Sequence, residues 1–340
     1  MAEIHYMMND TYGALCYLRS AIEMIDFVDE DLNFAIEALS ALDQRQMDDP
    51  YTYYTSSIIN VVQYQRKMDL PLNCLTKWQL TLNTWNDFKE NHSDANDLLS
   101  RYISVTTNEL EGVFTLDGSS LSNLVKHGFF QKSISGFSRH SRLSKKSKVL
   151  HILENTSNCF KFLRFKPEEF NLKMIKSIHS LLLLNDNINN EDNCYSLVPR
   201  GRFRREFCYT SHENGQREVH YCHWKEIDSE MEWFIEKAQY MLSNVTLDPF
   251  YVCAWIQWMF LWIHPFVDGN GRVARMISSI PLLKLGLPPV VVIKDTKSTY
   301  FKALASADVD HNLFPLTHFL KDEMENSIDF ISIYMTLISD

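Results

Sequence analysis

Along most of the 340 residues, apolar positions recur every three or four places rather than every second one, the period of helices that bury one face. In residues 1–96 this spacing returns in ALCYLRSAIEMIDFV, LNFAIEALSAL and TSSIINVVQYQRKM, separated by polar breaks at QRQMDDP and KENHSDAN, with no fixed-length repeat. A further helix is predicted from about Asp97 through DLLSRYISVTTNELEG, where Gly112 stands where a left-handed glycine closes a helix. Beyond it, PEEFNLKMIKSIHSLLLL, KEIDSEMEWFIEKAQYML, TYFKALASA and LTHFLKDEMENSIDFISIYM show the same period, and one helix is predicted over 271–285, stopping at Gly286-Leu287-Pro288-Pro289. The run FYVCAWIQWMFLWI (250–263) is apolar on every face and predicts a helix buried all round. It is too short for the roughly 30 Å of a bilayer interior, so no membrane association is expected.

Only one stretch predicts strand. In REFCYTSHENGQREVHYCHW two short runs flank Asn214-Gly215, the pair that a two-residue hairpin turn with positive φ at both centres favours. The segment KSISGFSRHSRLSKKSKVL (132–150), rich in Ser and basic residues, reads as a solvated linker or loop.

Charge and cysteine usage narrow the function. With 33 Lys and Arg against 43 Asp and Glu, the net charge of −10 gives no basic field for nucleic acid. Seven scattered cysteines without a CxxC pair fit reduced thiols in the cytoplasm or nucleus, and the first residues lack a secretory leader pattern. HYCHW (220–224) places its residues on alternating strand faces without a fourth metal ligand, and no GxSxG elbow marks a serine hydrolase.

The chemistry concentrates in HPFVDGNGRVAR, residues 264–275. Pro265 halts the buried helix, and Gly269 and Gly271 permit positive φ and close backbone approach where the next helix begins. The backbone N–H groups of such a turn, with the helix N-terminus behind them, form an anion cradle. Arg272 and Arg275, three apart, share a helix face and reach anionic oxygens. Asp268 is a hard acceptor suited to Mg²⁺, and His264 is placed as a general base.

This stretch resembles the signature of the Fic family, HxFx(D/E)GNGRxxR, at every defined position: His264, Phe266, Asp268, Gly269, Asn270, Gly271, Arg272 and Arg275. The similarity extends to a Gly-x-aromatic-Arg opening with Phe203 and Arg204, to the Asn214-Gly215 hairpin as the family's target-binding flap, and to LGLPPVVVIKDTKSTYFKALASADV. It implies a mostly α fold: a Fic-type helical bundle with a small β-hairpin flap over 165–322, preceded by an N-terminal helical region at 1–96, an inhibitory helix region at 97–131 and a linker and helix at 132–164, and followed by a C-terminal helix at 323–340.

The resemblance implies transfer of AMP from ATP, with Mg²⁺, to a Ser, Thr or Tyr hydroxyl of a target protein, the chain itself included. His264 would take the proton and Asp268 would hold the metal. Gly269, Asn270 and Gly271 would cradle the phosphates, with Arg272 and Arg275 on the outer ones. Tyr300 would line the base pocket, and Asp308 stands where relatives often carry an adenine-reading Asn. A homo-oligomer is compatible with the pattern, and a cytoplasmic or nuclear location with the composition.

TNELEG at 107–112 fits the family's (S/T)xxxE(G/N) inhibitory motif through Thr107, Glu111 and Gly112. On helix physics alone, Glu111 at a helix C-terminus opposes the macrodipole and gains most from a cation. The family motif supplies Arg275 as that cation. Thr106 with Glu109 offers a competing capping-box reading. Two other functions stay open: hydrolytic removal of AMP with Glu111 placing a water, and nucleotide binding without catalysis.

Overall fold

A computed structural model describes residues 76–165, 169–183, 187–189, 195–197, 199–206, 208–212 and 217–339. The helices expected within residues 1–75 and the Asn214-Gly215 turn lie outside the described residues. The fold is mostly helical: α1 (Trp78–Asn91), α2 (Ala95–Leu110), α3 (Gly118–His127), α4 (Lys146–Phe165), α5 (Leu172–Leu182), α6 (Ile227–Ser243), α7 (Pro249–Ile263), α8 (Asn270–Ser278), α9 (Ile280–Lys284), α10 (Lys297–Val309) and α11 (Phe314–Ser339). Short strands β1 (Asn187–Asn189), β2 (Tyr195–Leu197), β3 (Tyr209–His212) and β4 (Arg217–His220) pair as two antiparallel ribbons, β1 with β2 and β3 with β4. The described residues fall into two compact units, one with those from Thr76 to Phe203 and from Ser229 to Ser339, the other with those between Arg204 and Asp228.

The hub of the larger unit is α7. Asp248 caps it, accepting from Phe250 N at 2.9 Å, and Pro249 occupies the first turn, where its missing N–H costs nothing. Every residue of α7 except Leu261 and Trp262 is buried, as its uniform apolarity predicts. Its ring Trp255 stacks on Phe234 at 5.8 Å, and Phe260 packs near Phe266 at 6.2 Å. The same Asp248 accepts from Thr76 N and Oγ1 at 2.8 and 2.7 Å, tying the start of the described chain to this helix.

A second cluster joins α2, α3 and α4 through Val105, Phe114, Leu116, Leu124, Val149 and Leu153. Here the basic serine segment departs from the solvated linker its composition suggests. Phe137 bridges Leu116 in antiparallel fashion, Ser138 N donates to Thr115 O at 2.9 Å, and Thr115 N donates to Ser141 Oγ at 2.9 Å. Lys146 Nζ also donates to Ile134 O, whereas Lys132, Arg139, Arg142 and Lys145 are exposed, so composition reports only the outer half.

Three further expectations are corrected. The helix expected over 271–285 is two, because Pro281 cannot donate within a continuous helix and the chain breaks at Ser279. Strand is not confined to the hairpin: β1 and β2 pair within what reads as polar loop, three residues each, too short to show a period. Thr106 is no N-cap; it lies inside α2 with its hydroxyl on Ile103 O at 3.3 Å, while Glu109 accepts from Leu116 N at 2.8 Å.

The smaller unit holds the hairpin in the predicted place. Tyr209 pairs with His220 and His212 with Arg217. Arg204 braces its base, donating to Glu206 O at 2.6 Å and to Cys222 O.

Candidate active site

The signature residues occupy the bend between α7 and α8. His264 ends α7 in a left-handed conformation at φ 49°, an uncommon backbone for a non-glycine residue. Its Nδ1 lies 3.1 Å from Leu261 O. A carbonyl only accepts, so Nδ1 carries the proton and the basic lone pair is on Nε2.

The bend is closed by Asn270, whose amide accepts from Phe266 N at 3.0 Å and donates to Phe266 O at 2.7 Å. Its side chain is therefore a clamp on the loop, while its position at the start of α8 leaves the backbone to the cradle. Gly269 caps α8 at φ 80°, a conformation that a side chain strains. Asp268 accepts from Gly269 N at 2.6 Å and stands 3.7 Å from Arg272, with 43% of its side chain exposed. The contact is long, between a buried guanidinium and a part-exposed carboxylate, and it leaves the carboxylate accessible.

Arg272 and Arg275 are both buried, at 2% exposure. Arg272 reaches Asn108 Oδ1 at 3.5 Å, a long contact, and Asn108 is itself fixed by Ser104 O and Thr156 Oγ1. Arg275 is bound tightly. Its Nε donates to Thr107 Oγ1 at 2.8 Å, and its terminal nitrogen donates to Thr107 O at 3.1 Å and to Glu111 Oε1 at 2.6 Å. Thr107 and Glu111 lie one turn apart on α2, so both meet the same guanidinium.

Glu111 is placed by the end of its helix. Gly112 takes the left-handed conformation at φ 68°, its N–H bonds Glu109 O at 3.0 Å, and Val113 N bonds Asn108 O at 3.1 Å, satisfying carbonyls that the helix end would leave open. From α10, Lys297 Nζ donates to Leu110 O at 2.9 Å, adding a cation to the negative end of α2. The Glu111 carboxylate then rests on Gly271, where a Cβ would collide with Oε1. Burial pushes its carboxyl upward, but Arg275, with Arg272 and Lys297, outweighs burial and holds it below the usual carboxylate range.

Two other predicted residues have local roles. Tyr300 is buried among Phe301 and Phe319. Burial raises its pKa, with Arg275 and Glu111 within electrostatic reach. Asp308 accepts from Trp258 Nε1 at 2.8 Å, so at least one of its oxygens serves the protein. Phe203 packs 5.5 Å from Phe266, which places the Gly-x-aromatic segment beside the signature loop.

One residue escaped sequence reasoning. His179 of α5, fully buried, lies 3.7 Å from Phe266 in a stacked arrangement. Its Nε2 bonds Asp268 O at 3.0 Å and its Nδ1 accepts from Gly201 N at 2.8 Å. It is a staple between the signature loop and the 199–202 turn. Burial lowers its pKa to about 4, keeping it neutral with both nitrogens in use. A lone His on an amphipathic helix carries no signal of this, since its partners are 22 and 89 residues away.

Residues 169–282 match the Fic/DOC family model. Over these residues the chain is similar to the Fic/DOC family. Over 95 residues the chain is 35% identical to Protein adenylyltransferase Fic of Drosophila melanogaster, covering 28% of this chain and 18% of that protein. The match thus spans under a fifth of the length of such curated relatives. The fold is similar to a Fic domain containing signaling protein from Bacteroides thetaiotaomicron, with TM-score 0.55 at 17% identity over 79% of this chain and 92% of that one. It is also similar to Fic-1 from C. elegans, with TM-score 0.52 at 20% identity over 100% of this chain and 86% of that one. At such identities these likenesses speak to the fold. Outside the matched residues, α2 supplies Thr107 and Glu111 to Arg275. Among the described residues, no helix is long and apolar enough to cross a membrane.

Proposed function

We propose that the chain is an auto-inhibited protein adenylyltransferase, moving AMP from ATP to a Ser, Thr or Tyr hydroxyl of a protein. The observation that carries this reading is the Glu111–Arg275 pair at 2.6 Å, seated on Gly271 at the start of α8. A carboxylate there engages the cation and the close-approach surface that an outer phosphate needs, and the relatives named Protein adenylyltransferase Fic give the chemistry its class.

In the transfer, His264 Nε2 takes the proton of the target hydroxyl as its oxygen bonds the α-phosphorus, and the bond from that phosphorus to pyrophosphate breaks. The N–H groups of the α8 turn and the buried Arg272 stabilise charge on the phosphates. Asp268, with 43% of its side chain exposed, suits Mg²⁺, an ion that keeps waters and shares phosphate oxygens. When bound, that ion would neutralise phosphate charge. With Glu111 on Arg275, the outermost phosphate lacks its cation and productive seating is disfavoured. Tyr300 and Asp308 are read as the base-side wall, and the hairpin with Phe203, Arg204, Asn214 and Gly215 as the target-holding flap, which would register an extended segment by main-chain pairing.

A second reading rests on the same carboxylate. Glu111 is held ionised with 35% of its side chain accessible, so it can also accept from a water and aim it at the phosphorus of an AMP-modified protein. Incubating the purified chain with α-labelled ATP, and separately with an AMP-modified protein, tests both. Neither incorporation nor release of label, in wild type and in Glu111→Gly alike, would leave nucleotide binding without catalysis.

A further inference from the structure

A depression of about 950 Å³ opens on the larger unit between α5 and the 199–202 turn, floored by Leu172 and Leu181 and rimmed by Lys173, Lys176, Arg200 and Arg202. Among the described residues, none of these four cations has a carboxylate partner. Lys176 Nζ lies 4.2 Å from the centre of the Phe203 ring, and the other three are exposed. In a chain of net charge −10, four cations gathered without a carboxylate partner among the described residues are a local inversion of the protein's own field. Gathering like charges is unfavourable until an anion joins them.

The frame that gathers them is rigid. Gly201 adopts φ 68°, and a Cβ on it would press on Ser180 Oγ and Lys176 O of α5. Its N–H bonds His179 Nδ1 at 2.8 Å, and Arg202 N closes the turn on Pro199 O at 3.4 Å. The turn is thereby pinned to the helix, so the arginines before and after Gly201 and the lysines of α5 line one concavity without further ordering. Little freedom at these backbone positions is left to lose on binding.

We infer that this depression docks a carboxylate-rich, partly apolar segment of the protein that receives AMP; this rests on the reading of the chain as acting on proteins. Carboxylates meet the rim, and an apolar side chain meets the leucine floor. A compact concavity without an exposed aromatic stack or an extended cationic track suits a short peptide better than a nucleic-acid strand, which asks for both. The site lies beside the reaction centre through one residue, because His179 bonds both the Gly201 turn and Asp268 O.

The test is fluorescence anisotropy with the full chain and a labelled peptide of glutamate pairs separated by leucines. Comparison probes are the same peptide with lysines for glutamates, a single-stranded oligoribonucleotide and phosphatidylserine vesicles. Saturable binding of the acidic peptide is expected, weakening with added salt, and falling at least tenfold in Lys173→Glu/Arg200→Glu and in Arg202→Glu. All three residues are exposed, so the variants should keep the wild-type circular dichroism. No binding, or binding unchanged by these reversals, overturns the site. Tighter binding of oligoribonucleotide or vesicles, lost in the same variants, overturns the assigned occupant. None of these readings needs nucleotide or turnover, so the site stands or falls apart from adenylyl transfer, which His264→Ala tests on its own.

Discussion

Replacing Glu111 by Gly removes one of the three acceptors that hold Arg275, leaving Thr107 Oγ1 at 2.8 Å and Thr107 O at 3.1 Å. Breaking a fully dry ion pair costs about 3–5 kcal/mol, and losing an exposed one costs about 0–1 kcal/mol. This pair lies between: Arg275 is 3% exposed in its side chain and Glu111 is 35% exposed. With two acceptors retained, a loss of about 1–2 kcal/mol of stability is expected. The same energy no longer opposes engagement of Arg275 by phosphate, so productive ATP binding should rise about 5–30-fold. Glu111→Gln keeps the shape over Gly271 without the charge and should fall between wild type and Glu111→Gly. The sign with pH is fixed by the depressed carboxyl. The pair's contribution is complete above the unfolded carboxyl pKa, about 4.3, and is lost only as pH falls through the lower folded value. Inhibition of wild type should therefore persist across neutral and mildly acidic pH. Denaturant unfolding measures the first quantity, and label from α-labelled ATP the second. A Glu111→Gly chain that labels no faster than wild type at any ATP concentration, while losing the expected stability, would refute the argument that this pair is a brake.

Three further changes probe the rest of the site. His264→Ala should lower incorporation at least about 10²–10⁴-fold with ATP affinity by calorimetry nearly unchanged; undiminished labelling would remove His264 as the base. Asp268→Ala should abolish the Mg²⁺ dependence of labelling, and a variant with the wild-type Mg²⁺ titration would place the metal elsewhere. His179→Phe keeps a ring on Phe266 but orphans Gly201 N–H and Asp268 O. It should cost about 1–3 kcal/mol in unfolding and reduce labelling more than peptide anisotropy; unchanged unfolding would mean that the staple bears no load.

The parts legible in the sequence are those encoded within a few neighbouring residues. The all-round apolarity of 250–263 specifies α7, the two short runs in REFCYTSHENGQREVHYCHW become the paired strands β3 and β4, and Gly112 marks the left-handed end of α2. The crowding at 264–275 identified the bend because loop, cap and cations are contiguous there. Illegible were interactions whose partners are distant in the chain: His179 with Asp268, Lys297 with Leu110, and the bridge from Phe137 to Leu116. The clamp of the Asn270 side chain on Phe266 was likewise not legible, although it leaves the Asn270 backbone at the start of α8, where the cradle is expected.

The missing side chain at Gly271 ties together two properties that selection would otherwise tune separately. A Cβ at this position would drive Glu111 off its seat and at once thicken the wall that a phosphate must approach. On the proposed reading, restraint and grip are thus recorded in the same absent methyl, and neither could be erased there without eroding the other. Variation that altered the proposed brake alone would enter from α2, at Thr107, Glu111 or Gly112, where the amide turn that opens α8 is left as it stands.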